Sequence, residues 1–253
     1  MDRYRPDRAR VVRALERSGV VVVMNADHIR SARDMVVTVE EVHRAGYVPE
    51  VTFRIDAGIL REGMFELRRK RAEAASRGED YVLGVGSIID GDELREAVSL
   101  GFDLLVGPGN MTTGGVEPAL ALKELQEAGI AVAPAVFTPS ELQYMLCNRF
   151  GFTPDVIKVF PARSHGPEGI SDLLAPYARP RHRGRLLMPT GAVNLETGPQ
   201  YIAAIRKRGF TPVLGMSSPL ALVKEKGEPG NRDLVATSLA RFKERFVAAV
   251  SES

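Results

Sequence analysis

Cysteine is nearly absent from this 253-residue chain, and so is any excess of one charge. The single cysteine, Cys147, rules out an internal disulfide framework and fits a reducing cytoplasm, where the protein is expected to reside. It follows Leu142, Met145 and Leu146 in an expected helix, where a small buried hydrophobe is its first reading. Lysine and arginine number 34 against 32 aspartates and glutamates, so the net charge of +2 carries no nucleic-acid signature. No apolar run approaches the roughly 18 residues of a membrane-crossing helix. The start, Met1-Asp2-Arg3-Tyr4-Arg5-Pro6, leads into charged residues and not into a signal-peptide core. Neither nucleic acid nor membrane is expected as a partner. The four histidines, His28, His43, His165 and His182, lack a paired-ligand spacing and are expected at the surface or in turns, not on a metal.

What is present is regular. Apolar strand-like runs at 20–24, 50–53, 81–85, 104–106, 130–136, 156–160, 186–188 and 212–214 mostly alternate with helical patterns. Strand–helix alternation argues a parallel sheet, and eight repeats fit an α/β fold of the (β/α)8 TIM-barrel type. An open doubly wound sheet is the alternative, because periodicity does not see closure. Residues 7–18 read as an extra N-terminal helix and 232–250 as a terminal one. No Gly-, Pro- or Ser-rich linker divides the chain, so residues 1–253 are expected to form one domain.

The run Val156-Ile157-Lys158-Val159-Phe160-Pro161 places one lysine inside a short apolar strand. Such a lysine either faces solvent from an edge strand or points into the barrel. In the second case desolvation lowers its pKa and frees an amine to attack a carbonyl. In a barrel, chemistry collects where strands run out into the following loops. Those ends carry Asn25, Arg54, Gly84 to Ser87, Pro108, Gly109, Thr138, Lys158 to Pro161, Thr190, Gly191 and Gly215 to Ser218.

Six pieces in order, Glu50-Val51-Thr52-Phe53-Arg54, Gly84-Val85-Gly86-Ser87, Pro108-Gly109, Ile157-Lys158-Val159-Phe160-Pro161-Ala162, Pro189-Thr190-Gly191 and Gly215-Met216-Ser217, make a specific pattern. It resembles the 2-keto-3-deoxy-6-phosphogluconate / 4-hydroxy-2-oxoglutarate aldolases, a class I Schiff-base family. The resemblance implies cleavage of a 2-keto-3-deoxy sugar acid, phosphorylated or not, to pyruvate and an aldehyde. Lys158 would form the imine with the keto carbon and Glu50 would shuttle protons. Arg54 would clamp the pyruvyl carboxylate, helped by the Ser87 hydroxyl, which stands where the family has threonine. Phe160 would wall the pyruvyl end, Thr190 would meet the hydroxyl-bearing part, and Pro108 would be a further substrate contact. The distal group would lie on Gly191, Ala192, Gly215 and Ser217. No cofactor and no metal is implied, and a homotrimer is.

Besides Ser87, three positions depart from the pattern. Ala192 and Met216 replace glycines, so side chains are expected where backbone amides would approach a phosphate. Arg163 stands where an acid is usual. Two cationic runs, Arg68 to Arg71 and Arg179 to Arg185, read as solvated faces. Two other functions fit the residues: a phosphate-binding barrel isomerase or synthase without a covalent lysine, and a non-catalytic sugar-acid-binding protein.

Overall fold

Parallel strands pair in chain order until the sheet meets itself. In the computed structural model, residues 5–111, 118–147 and 151–251 are described, so the charged start at 1–4 lies outside them. Strands β1 (Val20–Met24), β2 (Val48–Thr52), β3 (Gly84–Gly86), β4 (Leu104–Val106) and β5 (Ala131–Ala133) form a parallel run. Pro134, which has no amide to donate, interrupts the fifth position. The strand resumes as β6 (Ala135–Val136) and is followed by β7 (Val156–Val159), β8 (Leu186–Pro189) and β9 (Thr211–Pro212). The eighth position breaks at Val213, and β10 (Leu214–Met216) pairs with β1. A Val213 amide bond to the Leu187 carbonyl (2.9 Å) and a bridge between Thr190 and Gly215 carry the sheet across that break. Eight strand positions therefore close into a ring, the (β/α)8 barrel expected from the alternation.

The helices are α1 (Arg8–Ser18), α2 (Ala32–Arg44), α3 (Ala57–Ser76), α4 (Gly91–Leu100), α5 (Pro118–Glu127), α6 (Pro139–Cys147), α7 (Gly166–Leu174), α8 (Gly198–Lys207), α9 (Ala221–Lys226) and α10 (Arg232–Ser251). Several begin where a short acceptor satisfies free amides: Asp7, Ser31, Asp56 and Asp90 cap α1 to α4.

Two apolar layers follow from the period-two alternation of the strands. Outward residues such as Val22, Val51, Ile157 and Leu187 pack under the helices. Inward residues Val21, Val48, Val82, Leu104, Ala131, Val156, Leu186 and Val213 form a second cluster with Val11, Ala14 and Leu15 of α1. The extra helix thus lies across the N-terminal ends of the strands and stops that end of the barrel.

Three surface expectations are corrected. Arg71 is not on a solvated face: it is buried, pairs with buried Asp103 at 2.8 Å and donates to the Gly101 carbonyl at 2.6 Å. Asp103 also accepts from the Leu83 amide, so the pair joins α3 to the starts of two strands. His28 and His182 are buried, not superficial. Cys147 is exposed at the end of α6, with its sulfur 4.0 Å from the His182 ring, instead of filling core.

Candidate active site

Counting in twos along β2 and β7 settles which way the key side chains point. Val48 and Val156 belong to the inner cluster, so Glu50 and Lys158, two residues on, face the barrel interior. The second and sixth of eight strand positions are opposite one another, and the two groups project across the barrel. Both are buried, at 3% and 5% exposure. The edge-strand reading of Lys158 is thereby excluded, since β7 has β6 and β8 on its two sides.

Burial acts on both members. It raises the Glu50 pKa above the usual carboxyl range, against the pull of the Lys158 charge. It lowers the Lys158 pKa below the usual lysine range, against the opposing pull of Glu50. Desolvation dominates each, so the interior favours a neutral acid and a free amine. Glu50 Oε2 is buried without a hydrogen-bond partner, which leaves one carboxyl oxygen for an incoming group. Room for this carboxyl comes from β3. A Cβ on Gly86 would sit 2.7 Å from Glu50 Cδ, and a Cβ on Gly84 would meet the Pro49 carbonyl. The Phe160 ring, half-buried, lies 4.9 Å from Lys158 Nζ and covers one side of the amine.

The mouth is polar. Thr52 Oγ1 donates to Ser87 Oγ at 3.1 Å and accepts from the Arg54 amide at 3.2 Å. Ser87 holds a left-handed backbone, φ 66°, a conformation uncommon outside glycine. Arg54 stands on the rim, about half exposed, with its guanidinium paired to Glu93 of α4 and not to Glu50. Glu93 is fixed in turn by the Ile89 amide at 2.9 Å. Pro108 is exposed at the end of its strand.

On the other side of the mouth Thr190 is buried, and its side chain crosses Gly215, where a Cβ would meet Thr190 Cβ at 3.2 Å. Gly191 has φ 98° and Ala192 φ 58°, so Ala192 occupies a left-handed position suited to glycine. Ala192 and Ser217 are exposed. Met216 does not crowd this mouth as its sequence position suggested. Its side chain is buried in the outer layer, with Cε 3.6 Å from the space beside Gly198.

Thr52 and Glu93 are absent from the sequence-derived site. Thr52 was within reach of the alternation, two residues beyond Glu50. Glu93 carried no local signal, because its partner is 39 residues away.

Against known proteins, residues 11–210 match the family model "KDPG and KHG aldolase". This chain belongs to the KDPG and KHG aldolase family. Matched residues include Glu50, Lys158 and Thr190, whereas β10 and the helices after it lie beyond the match. A 2-dehydro-3-deoxy-phosphogluconate aldolase of Haemophilus influenzae is 28% identical over 193 residues, covering 76% of this chain and 77% of the relative. Solved KDPG aldolases share the fold. That of Zymomonas mobilis has a TM-score of 0.65 at 20% identity, covering 93% of this chain and 96% of its own. That of Legionella pneumophila, with pyruvate captured as a covalent carbinolamine, has 0.64 at 20% identity, covering 90% and 97%.

Proposed function

We propose that this KDPG and KHG aldolase family member is a class I aldehyde-lyase. Its substrate is a 2-keto-3-deoxy (phospho) sugar acid, such as 2-keto-3-deoxy-6-phosphogluconate or 4-hydroxy-2-oxoglutarate. The observation that carries the reading is the buried, opposed Glu50–Lys158 pair, with burial favouring the neutral form of each.

The free Lys158 amine attacks the C2 keto carbon, and the oxygen formed takes a proton to give a carbinolamine. Glu50, as an acid, protonates that hydroxyl as it leaves as water, so an iminium remains on Nζ. The iminium draws the electrons of the C3–C4 bond. Glu50, now a carboxylate, takes the proton of the C4 hydroxyl as that bond breaks to an aldehyde and an enamine. Protonation at C3 and hydrolysis release pyruvate and restore the amine.

Arg54 leaves Glu93 to bind the pyruvyl carboxylate, a planar match for its fork of donors. The Ser87 hydroxyl, oriented by Thr52, adds a further donor. Phe160 and Pro108 wall the pyruvyl end, and Thr190 meets the substrate hydroxyls. Gly191, Ala192, Gly215 and Ser217 form the distal end of the pocket. The carbinolamine in the Legionella pneumophila relative is the same chemistry on the same fold. Residues 1–253 act as one barrel domain, in the cytoplasm and as a homotrimer; the trimer is carried over from the family.

The test is borohydride reduction in the presence of pyruvate. One pyruvyl group should add to Lys158 and abolish turnover, and Lys158→Ala should lose at least about a thousandfold in kcat. An adduct mapped to another lysine, or none, would sink the assignment and favour a barrel enzyme without a covalent lysine.

A further inference from the structure

A second concentration of charge lies at the N-terminal end of the strands, opposite the Lys158 mouth. The turn at Pro180–His182, before β8, and the C-terminal end of α8, before β9, face each other across a cavity of about 350 Å³. Arg179, Arg183, Arg206, Lys207 and Arg208 line it. The two walls are tied together. The Gly184 amide donates to the Gly209 carbonyl at 2.8 Å and the Thr211 amide to the Arg185 carbonyl at 2.9 Å. Arg183 lies along the open face of Gly209, its Nε 3.8 Å from where a Cβ would be. Arg208 Nε is held by the carbonyl and hydroxyl of Ser171, both at 3.0 Å.

Countercharge is scarce where these five cations gather. The arginines of α1 each meet an acid: Arg8 with Asp155, Arg10 and Arg17 with Asp80, Arg13 with Asp7. On α3, Arg61, Arg69 and Arg71 do too, with Glu96, Glu66 and Asp103, and, among the described residues, Arg68 does not. Among the described residues, Arg179, Arg183, Arg206 and Lys207 have no carboxylate within ion-pair reach, and Arg208 has only Asp172, at 3.9 Å. Arg206 and Lys207 gain from the negative end of α8, but Arg179 and Arg183 come from a separate segment with no such reason to gather. The buried ring of His182 responds to the field. Its pKa is held below the ordinary histidine value by burial and then by Arg181, Arg185 and Arg179.

We propose that this cavity binds a small molecule carrying two or more linked phosphates, either inorganic diphosphate or the diphosphate of a nucleotide. Guanidinium groups from two walls can each take a pair of phosphate oxygens, and the volume suits a compact ligand. One bound diphosphate would supply the negative charge that the protein itself does not.

Isothermal titration of the full chain near physiological salt, with inorganic diphosphate, ADP and orthophosphate, tests this. Diphosphate should saturate one site per chain with a Kd below about 100 µM, at least roughly tenfold tighter than orthophosphate. Arg183→Glu and Lys207→Glu, both at exposed positions, should each weaken it about tenfold or more while leaving keto-acid turnover unchanged. Lys158→Ala should bind diphosphate like the wild type, which separates this cavity from the barrel mouth. ADP as tight as diphosphate identifies a nucleotide; weaker ADP identifies the free anion. No saturation below about 10 mM, an affinity unchanged in either charge-reversed variant, or loss of binding in Lys158→Ala would overturn the proposal.

Discussion

Gly86 lies beneath the carboxyl of Glu50, and the two fit only because one of them has no side chain. An added Cβ would stand 3.0 Å from Glu50 Cγ, 2.7 Å from Cδ and closer still to Oε1. Gly86→Ala should therefore displace Glu50 with Lys158 untouched. The expected cost is about 1–3 kcal/mol in stability, from overpacking, and roughly ten- to a hundredfold in kcat. Denaturant unfolding beside steady-state kinetics measures both, and a variant with wild-type kcat would show that Glu50 needs no such seat.

Arg54 is held by the carboxylate of Glu93, which, in the proposed role of Arg54, the substrate would replace. Glu93→Gln should weaken that hold and lower KM for the keto acid by a few-fold. Arg54→Lys should raise KM by about ten- to a hundredfold, since an ammonium loses the bidentate match. A higher KM in Glu93→Gln would mean that Glu93 aims Arg54 instead of competing for it.

Proton traffic gives kcat/KM a bell shape. On the acid side activity is lost as the Lys158 amine is protonated, and burial places that limb below the ordinary lysine range. On the alkaline side it is lost as Glu50 gives up the proton needed to expel water, at a pKa raised above the usual carboxyl range. Glu50 still holds its proton, and carries no charge, across the acid limb, so Glu50→Gln should leave the acid limb of the residual activity in place and erase the alkaline one. A pH series on the two proteins decides. An acid limb that moves in Glu50→Gln would contradict this order of titration.

Two histidines outside the proposed chemistry, buried His28 and half-buried His43, govern acid stability. His28 and His43 are each held down to about 4 from 6.5, chiefly by burial. His28 Nδ1 accepts from the Asn25 amide, a bond that protonation would break. The unfolded chain takes up these protons below about 6.5 and the folded chain only near 4, so stability is full above the higher value and falls as pH drops through the window. Each shift amounts to at most about 3 kcal/mol. Urea midpoints from pH 7 to 4 should decline, and His28→Gln, with no such proton to exclude, should flatten the slope. Equal slopes in both proteins would remove His28 from the account.

Ala192 keeps a left-handed backbone at the exposed edge of the distal loop. Ala192→Gly should relieve about 1 kcal/mol of strain and raise the kcat/KM ratio of phosphorylated over unphosphorylated substrate. Met216→Gly should bring no such gain, because that side chain is core and its loss leaves a cavity. A falling ratio in Ala192→Gly would show that the methyl group does not limit phosphate approach.

Much of the barrel could be read from local pattern. Val20–Met24 and Leu104–Val106 have the bounds their apolar runs suggest. The run 130–136 splits at Pro134 and 212–214 at Val213, because hydrophobicity continues where ladder bonds do not. The second strand starts at Val48, ahead of Pro49, a residue that argues against a strand yet is tolerated here. Lys158 was visible because a charge in an apolar strand is locally anomalous, and Glu50 only through the motif that carries the family resemblance. Glu93, the seating of Glu50 over Gly86 and the burial of Arg71 were not, since each depends on a partner brought from another element.

The α1 stopper has a kinetic consequence. With Val11, Ala14 and Leu15 packed into the lower interior, α1 closes the end of the barrel opposite the Lys158 mouth. On the proposed mechanism, a substrate tethered at Lys158 would point its far half toward the mouth, so after cleavage the aldehyde would lie between pyruvate and solvent. Departure would then be sequential: the aldehyde first, and pyruvate, still bonded to the enzyme, only after a water molecule has come down the same path.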